Sequence, residues 1–297
     1  MASPLHVSAA ATLEAEGRVL AWLTEHAGAG AILALSGGAD SALLLDLAAS
    51  ALGPARVLAV TSRSESLPAE ELEAAQAQAR RVGVAHRTLA GSELDVEAFR
   101  RNAPDRCFHC KDSLYGQLAG LAAEHAGWQV LDGTNADDLQ GHRPGFAAGL
   151  KHGVRSPLLE CGVGKTLVRE ISRRRGLSTW DKPQLACLAS RLPYGTPVTA
   201  QRLNQVGRAE QGLKKLGLRI FRVRYHGDVA RLEIDANELP RLFDSDFRRA
   251  VDSAVKASGF TFVAIDLEPF RSGRLNDALR NGGGMALPVL SSARVSS

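Results

Sequence analysis

Aromatic residues make up only 5% of this 297-residue chain. No apolar run approaches the ~20 residues that span a membrane. Met1 to Ala11 contains no basic stretch followed by a long apolar core. No secretory leader is therefore read there, and a cytoplasmic enzyme is the expectation. Cysteine is scarce as well: Cys107, Cys110, Cys161 and Cys187 are the four present. In a cytosolic chain of this size they do not form a disulfide framework, which leaves metal binding or sulfur chemistry. The basic excess is small, a net charge of +4 carried mostly by Arg, with local clusters at Arg100-Arg101 and Arg173-Arg174-Arg175. A nucleic-acid binder would show a denser basic face interleaved with aromatics. No nucleic-acid or membrane partner is expected, and small phosphorylated anions suit the Arg excess better.

What is present is an ordinary globular composition, 45% hydrophobic and 23% charged, in a length that suits one large domain or two smaller ones. The most informative segment is Ser36-Gly37-Gly38-Ala39-Asp40-Ser41. It lies between the apolar run 31–35, read as a buried strand, and an apolar helical pattern at about 40–52. Backbone N–H groups at a helix start lack intrahelical partners, and the helix dipole favours an anion there. Gly37 and Gly38 allow close backbone approach, Ser36 and Ser41 add hydroxyls, and Asp40 can hold Mg²⁺ against phosphate oxygens. The bland alternative is a capped turn. Strand, turn and helix in this order resemble the PP-loop of ATP pyrophosphatases, enzymes that split ATP between its α and β phosphates.

The rest of the first part alternates between the two periodicities. A helix over 8–26 precedes the first strand. Strands follow at 56–61, 86–89 and 128–132, with helices at 68–82 and about 111–126. Such alternation implies a parallel sheet covered on both faces, with ligands at the C-terminal strand edge. After about residue 190 the pattern becomes helix (199–216), strands 218–225 and 229–234 joined by a turn, helix (245–257) and strand (260–267). The expected fold class is α/β: a parallel-sheet PP-loop domain over 1–195, a smaller α+β domain over 196–280, and a mobile tail over 281–297.

Cys107-Phe108-His109-Cys110 reads as a Cys-x-x-Cys in a loop before a helix. Two thiolates are too few for a stable zinc or iron–sulfur site, and Cys187 is the third candidate. Three Cys ligands leave one iron of a [4Fe–4S] cluster open to an external ligand such as sulfide. Inert thiols are the alternative, and Cys161 reads as a core residue. His109 is expected to point away from the pair. Asn135 and Asp137 follow the fourth strand at the same sheet edge, where nucleotide or metal contact competes with helix capping. Arg222 and Arg224 alternate on a strand and share a face, which suits a phosphate; a solvated basic face is the alternative. Glu210 is placed to orient them from the preceding helix. Gly162-Val163-Gly164-Lys165-Thr166 resembles the end of a Walker A loop, but Leu159 stands where the first glycine belongs, and the motif is set aside.

The PP-loop, Asp105-Arg106-Cys107-x-x-Cys110-Lys111, Gly133-Thr134-Asn135-Ala136-Asp137-Asp138, Cys187-Leu188-Ala189-Ser190-Arg191, Arg222-Val223-Arg224 and Asp266 to Gly273 occur in that order. Together they resemble the LarE family over nearly the whole chain. The resemblance implies an ATP- and Mg²⁺-dependent sulfurtransferase of nickel-pincer cofactor synthesis, the cofactor of lactate racemase. It implies adenylation of a carboxylate of pyridinium-3,5-biscarboxylic acid mononucleotide, followed by replacement of oxygen with sulfur. Ser190, Arg191, Arg222 and Arg224 match family positions for the substrate phosphate. Three cysteines match the members that use a [4Fe–4S] cluster, whereas others sacrifice the sulfur of the cysteine matching Cys187. A homo-oligomer and a sulfur-donor protein are further expectations. A PP-loop tRNA thiolase is the runner-up, and an amide-forming PP-loop synthetase is a third reading.

Overall fold

The computed structural model describes residues 7–277 and 279, except 92, 140–143, 184 and 185, and the side chains of 69 and 139 also lie outside it. The tail expected over 281–297 falls outside the described residues.

The chain runs through α1 (Ala9–His26), β1 (Ala31–Ala34), α2 (Ala39–Leu52), β2 (Val57–Arg63), α3 (Ala69–Arg81) and β3 (Ala85–Ala90). It continues with α4 (Glu97–Arg100), α5 (Arg106–Ala123), β4 (Gln129–Leu131), α6 (Pro144–Lys151), α7 (Pro157–Glu160) and α8 (Lys165–Arg174). The last third holds α9 (Ala200–Lys215), β5 (Phe221–His226), β6 (Val229–Ile234), α10 (Ser245–Lys256) and β7 (Phe262–Ile265).

Four strands form a parallel sheet in the order β3-β2-β1-β4. Period-two alternation sorts their side chains between two layers. Ala31 and Leu33 of β1 pack in one core with Leu43, Leu44 and Leu47 of α2 and Val168 and Ile171 of α8. Ile32 faces the other side, with Tyr115 and Leu118 of α5 and Val130 of β4. The strands are apolar on both faces because helices cover both. All crossovers return the chain so that loops 36–41 and 132–138 leave the same, C-terminal edge of the sheet.

The second sheet is β5-β6-β7, with β5 and β6 antiparallel and β6 and β7 parallel. Its core gathers Leu203, Val206 and Leu213 of α9, Val223, Leu232, Val251 and Val255. Phe99, Leu188 and Leu192 from upstream of residue 195 join the same core. The mixed α/β architecture with a smaller second sheet agrees with the fold class read from the sequence. Among the described residues, no helix is long and apolar enough to cross a membrane.

Two local expectations are corrected. The helix expected at about 111–126 begins at Arg106, so Cys107 and Cys110 lie in its first turn rather than in a loop before it. The helix buries Arg106 at its start and, further along, Tyr115, Leu118 and Leu121, and the i, i+3 relation brings both thiols to one face. The segment from 144 to 174, to which the sequence reading assigned no element, contains α6, α7 and α8.

Candidate functional site

The phosphate loop closes on itself. Ser36 N donates to Ser41 Oγ at 3.2 Å, the two hydroxyls lie 3.1 Å apart, and Ser41 Oγ donates to the Gly38 carbonyl at 3.3 Å. Gly37 has φ +78, and a Cβ there would stand 2.8 Å from the Glu71 carbonyl. Only glycine combines that backbone with that approach. The Gly37 carbonyl accepts from Lys182 Nζ at 2.9 Å and from Gln78 Nε2 at 3.2 Å, and Lys182 also pairs with Glu71 at 2.7 Å. The first turn of α2 carries Asp40 and begins with uncapped N–H groups, since Gly38 offers no side chain. Such unpartnered donors at a helix start suit an anion.

Asp40 is held from the neighbouring loop. Asn135 Nδ2 donates to its Oδ1 at 3.1 Å, and Lys165 Nζ donates to its Oδ2 at 2.6 Å. Asn135 is fully buried, and its Oδ1 also accepts from Asp137 N at 3.1 Å. Asp137 accepts from Lys165 N at 2.6 Å, and a Cβ on Gly164 would meet its carboxylate at 2.8 Å. Asp137 therefore takes up the first N–H of α8 from a neighbouring loop. Dismissing Gly162 to Thr166 as a Walker A loop cost the reading a residue: Lys165 stands at the phosphate loop although the motif lacks its first glycine. Lys182 carried no signal either.

The second focus is a cleft where the thiols meet. Cys107 and Cys187 are exposed as residues and Cys110 is half-buried. Burial pushes the Cys187 thiol up, Cys107 adds to this, and Arg106 opposes it. Cys110 is pushed well up by burial and then by Glu93, with Cys187 contributing. Its Sγ donates to Glu93 Oε1 at 3.0 Å. Cys187 thus lies near enough to act on Cys110 and to be acted on by Cys107. Among the described residues, no three His, Cys, Asp or Glu side chains could hold a single metal ion. His109 turns to Asp105 at 3.2 Å, away from the thiols. Cys161 packs against the first core.

Arginines hold the Cys187 loop. Arg191, only 1% exposed, binds both oxygens of Glu210 at 2.8 and 2.9 Å and donates to the Ala186 carbonyl at 2.7 Å and Ser190 Oγ at 2.9 Å. With its donors engaged inside the protein, it positions the loop and is not free to meet a substrate phosphate. Arg224 donates to the Ser190 carbonyl at 2.8 Å and pairs with the fully buried Glu233 at 2.7 Å. Arg222 lies over the Phe270 ring, 4.8 Å from its centroid. Burial, with Arg191 and Arg224 nearby, lowers its pKa to about 10. Both β5 arginines are buried, which removes the solvated-face alternative. Glu210 also accepts from Val223 N at 3.1 Å. It therefore aligns Arg191 and the β5 backbone, and its charge acts on Arg222.

Behind the cleft, Asp132 collects the Tyr115 hydroxyl at 2.6 Å, Ser156 Oγ at 2.6 Å and Thr134 Oγ1 at 2.9 Å. Lys111 Nζ stands 5.0 Å from the Tyr115 ring centroid. Tyr115 raises the Lys111 pKa against the effect of burial, and Asp132 adds to the rise. Lys111 was quoted in the sequence motif without a role. Glu93, Asp132 and Tyr115 were missed, because lone polar residues in unremarkable segments give no local signal.

A parallel sheet with a Ser-Gly-Gly-x-Asp-Ser loop and an adjoining carboxylate loop defines a PP-loop enzyme that uses ATP. The NAD synthase family matches residues 17–107. The pyridinium-3,5-bisthiocarboxylic acid mononucleotide synthase of Lactiplantibacillus plantarum is 37% identical over 253 residues, covering 83% of this chain and 89% of that protein. An uncharacterized protein of a Synechocystis strain is 41% identical over 249 residues, 84% of this chain and 92% of the relative. The NH(3)-dependent NAD(+) synthetase of Methanosarcina mazei is 35% identical over 96 residues, 31% of this chain and 37% of that enzyme. The chain belongs to the LarE family of ATP-using PP-loop sulfurtransferases.

Proposed function

We propose that this enzyme adenylates a carboxylate of pyridinium-3,5-biscarboxylic acid mononucleotide and converts it to a thiocarboxylate for the nickel-pincer cofactor of lactate racemase. The supporting observations are the phosphate loop with Asp40 held by Asn135 and Lys165, and the buried Arg224 that holds the Cys187 loop through the Ser190 carbonyl, with Cys187 near enough to act on both Cys107 and Cys110. The segment bearing Cys187 also touches the phosphate loop through Lys182. At about 3.5 Å per residue, Cys187 lies within roughly 20 Å of Lys182.

In this reading residues 1–195 form the ATP domain and 196–280 the substrate domain. Ser36, Gly37, Gly38 and Ser41 cradle the pyrophosphate part of ATP, and Lys165 supplies charge. Asp40 would hold Mg²⁺, and Asn135 fixes the orientation of Asp40. The substrate carboxylate attacks the α-phosphorus and pyrophosphate leaves. Sulfur then attacks the acyl adenylate, and AMP departs with the carboxylate oxygen. Arg222, Arg224 and the Ser190 hydroxyl take the substrate phosphate. A guanidinium whose charge is disfavoured by burial and like neighbours gains most from an arriving dianion.

The three thiols suit a [4Fe–4S] cluster better than a single ion, because each cysteine of such a cluster binds a different iron. Bound there, the group would supply an open iron for exchangeable sulfide. Arg191 and Arg224 hold the Cys187 loop in place for it, and Asn102 ties the start of α5 to the Pro193 and Thr196 carbonyls at 2.8 Å each. A sulfur-donor protein and a homo-oligomer remain part of this reading.

The test is anaerobic turnover of reconstituted protein with ATP, Mg²⁺ and the mononucleotide, with mass spectrometry of product and protein. Thiocarboxylate with Cys187 intact is expected. Dehydroalanine at position 187 would keep the activity and replace the cluster with sacrificial sulfur. ATP cleavage without thiolated product would favour the tRNA thiolase.

A further inference from the structure

The Gly37–Gly38 peptide is the one link of the phosphate loop with glycine on both sides. Its two polar ends point apart, as in any trans peptide. The carbonyl end accepts from Lys182 Nζ at 2.9 Å and from Gln78 Nε2 at 3.2 Å. The N–H end lies toward the loop's hydroxyls, 3.4 Å from Ser36 Oγ, which is itself 3.1 Å from Ser41 Oγ. That N–H contact is long for a hydrogen bond, so the Gly38 donor is ready for a better acceptor.

We propose that Lys182 is a positioning residue for ATP: it pins the Gly37 carbonyl and so keeps the Gly38 N–H beside Ser36 and Ser41, where the phosphates are held. The proposal rests on the reading of residues 36–41 as the pyrophosphate cradle and is independent of the sulfur chemistry.

Little else fixes this peptide. Reversing it rotates ψ of Gly37 and φ of Gly38, and carries Gly38 from φ −80 into the positive range. Glycine accepts that range at little cost. The reversed peptide would offer a carbonyl oxygen where an anion needs an N–H. A charged donor on the carbonyl opposes the reversal, because a charge-assisted hydrogen bond is about twice as strong as a neutral one. Gln78 is the weaker pin. Its buried Oε1 has no hydrogen-bond partner among the described residues to fix the amide. Lys182 is steadied from behind by the buried Glu71, which takes its ammonium at 2.7 Å. Glu71 and Gln78 stand about two turns apart on α3 and share a face. The ion pair offsets the charge of Lys182, so its service to the phosphates is orientation more than attraction.

Calorimetric titration of the full chain with Mg–pyrophosphate tests this. Lys182→Met should bind it about 10-fold more weakly than the wild type. Lys182→Arg restores a charged donor and should recover most of the loss. A crystal structure of Lys182→Met should show the Gly37 carbonyl reversed or in two orientations. Should Lys182→Met fail to fold because Glu71 is left buried and unpaired, Glu71→Gln/Lys182→Met removes both charges and should show the same weakening. Undiminished binding in these variants overturns the proposal and leaves the cradle reading standing. Tighter binding by Glu71→Gln alone, about 10-fold, would also overturn it, since the freed charge of Lys182 would then be acting by attraction. A wild type that binds no pyrophosphate overturns both the cradle and the pin.

Discussion

The phosphate loop and the thiol cleft are stabilised in opposite ways. Ser36, Gly38 and Ser41 satisfy one another within six consecutive positions, and Gly37 supplies the one left-handed backbone the turn needs. The cleft has no such local closure. Cys187 is held through Arg191, Glu210, Arg224 and Ser66, which arrive from a short 3₁₀ turn, α9, β5 and the loop after β2. The first site is a property of a segment, the second a property of packing. Damage to the loop should therefore abolish chemistry with little loss of fold. Damage to the cleft should cost fold and chemistry together.

The strongest way to break that comparison is Arg224→Ala. Removing this cation takes away the hydrogen-bonded partner of the fully buried Glu233 and leaves it the more exposed Arg231 and Arg274 as ion-pair partners. A loss of about 3 kcal/mol in denaturant unfolding is expected, because an uncompensated buried charge is costly. Stability unchanged within error would make the arginine cluster a pure binding surface.

Asp40→Asn attacks the other side. Pyrophosphate release should fall by about 100-fold or more, while the unfolding midpoint stays within ~0.5 kcal/mol of wild type. A variant that unfolds instead would show that Asp40, through Asn135 and Lys165, is a structural keystone.

Gly37→Ala is smaller and sharpens the boundary between the two kinds of site. A left-handed backbone costs an L-residue about 1–2 kcal/mol, and the added Cβ would press on the Glu71 carbonyl. The expected loss of that size is read from thermal melting, and slower ATP cleavage should accompany it.

The smallest effect depends on pH. Burial alone would raise Glu210, but Arg191 outweighs it and holds the carboxyl below its ordinary 4.5. A depressed carboxylate contributes stability that is complete above the unfolded value. The contribution declines as pH falls below 4.5 and is gone below the folded value. Melting of the wild type should drop through that acidic window, and Glu210→Gln should lack that part of the decline. Parallel curves would separate Glu210 from the acid response.

Legibility followed the same division. The loop, its strand and its helix could be read as one string, and so could β5 with its alternating arginines. The start of α5 was misplaced because Cys, His and Phe have indifferent helix propensity and only the packing of Arg106 and Tyr115 fixes the first turn. Lys165 was discarded with a motif it does not need, and its distance in sequence from Asp40 hid the ion pair. Glu93 was invisible, since one glutamate in a short 3₁₀ turn looks like any solvated charge.

By itself, then, the sequence determined the parallel α/β sheet and the phosphate loop, because both follow from local periodicity, glycine conformation and hydrogen bonds between near neighbours. Tertiary structure alone decided that Cys110 meets Glu93, that Arg191 binds Glu210, and that Lys165 reaches Asp40. Those relations depend on which surfaces the two cores bring face to face, and burial sets the charges of their groups only once that packing exists.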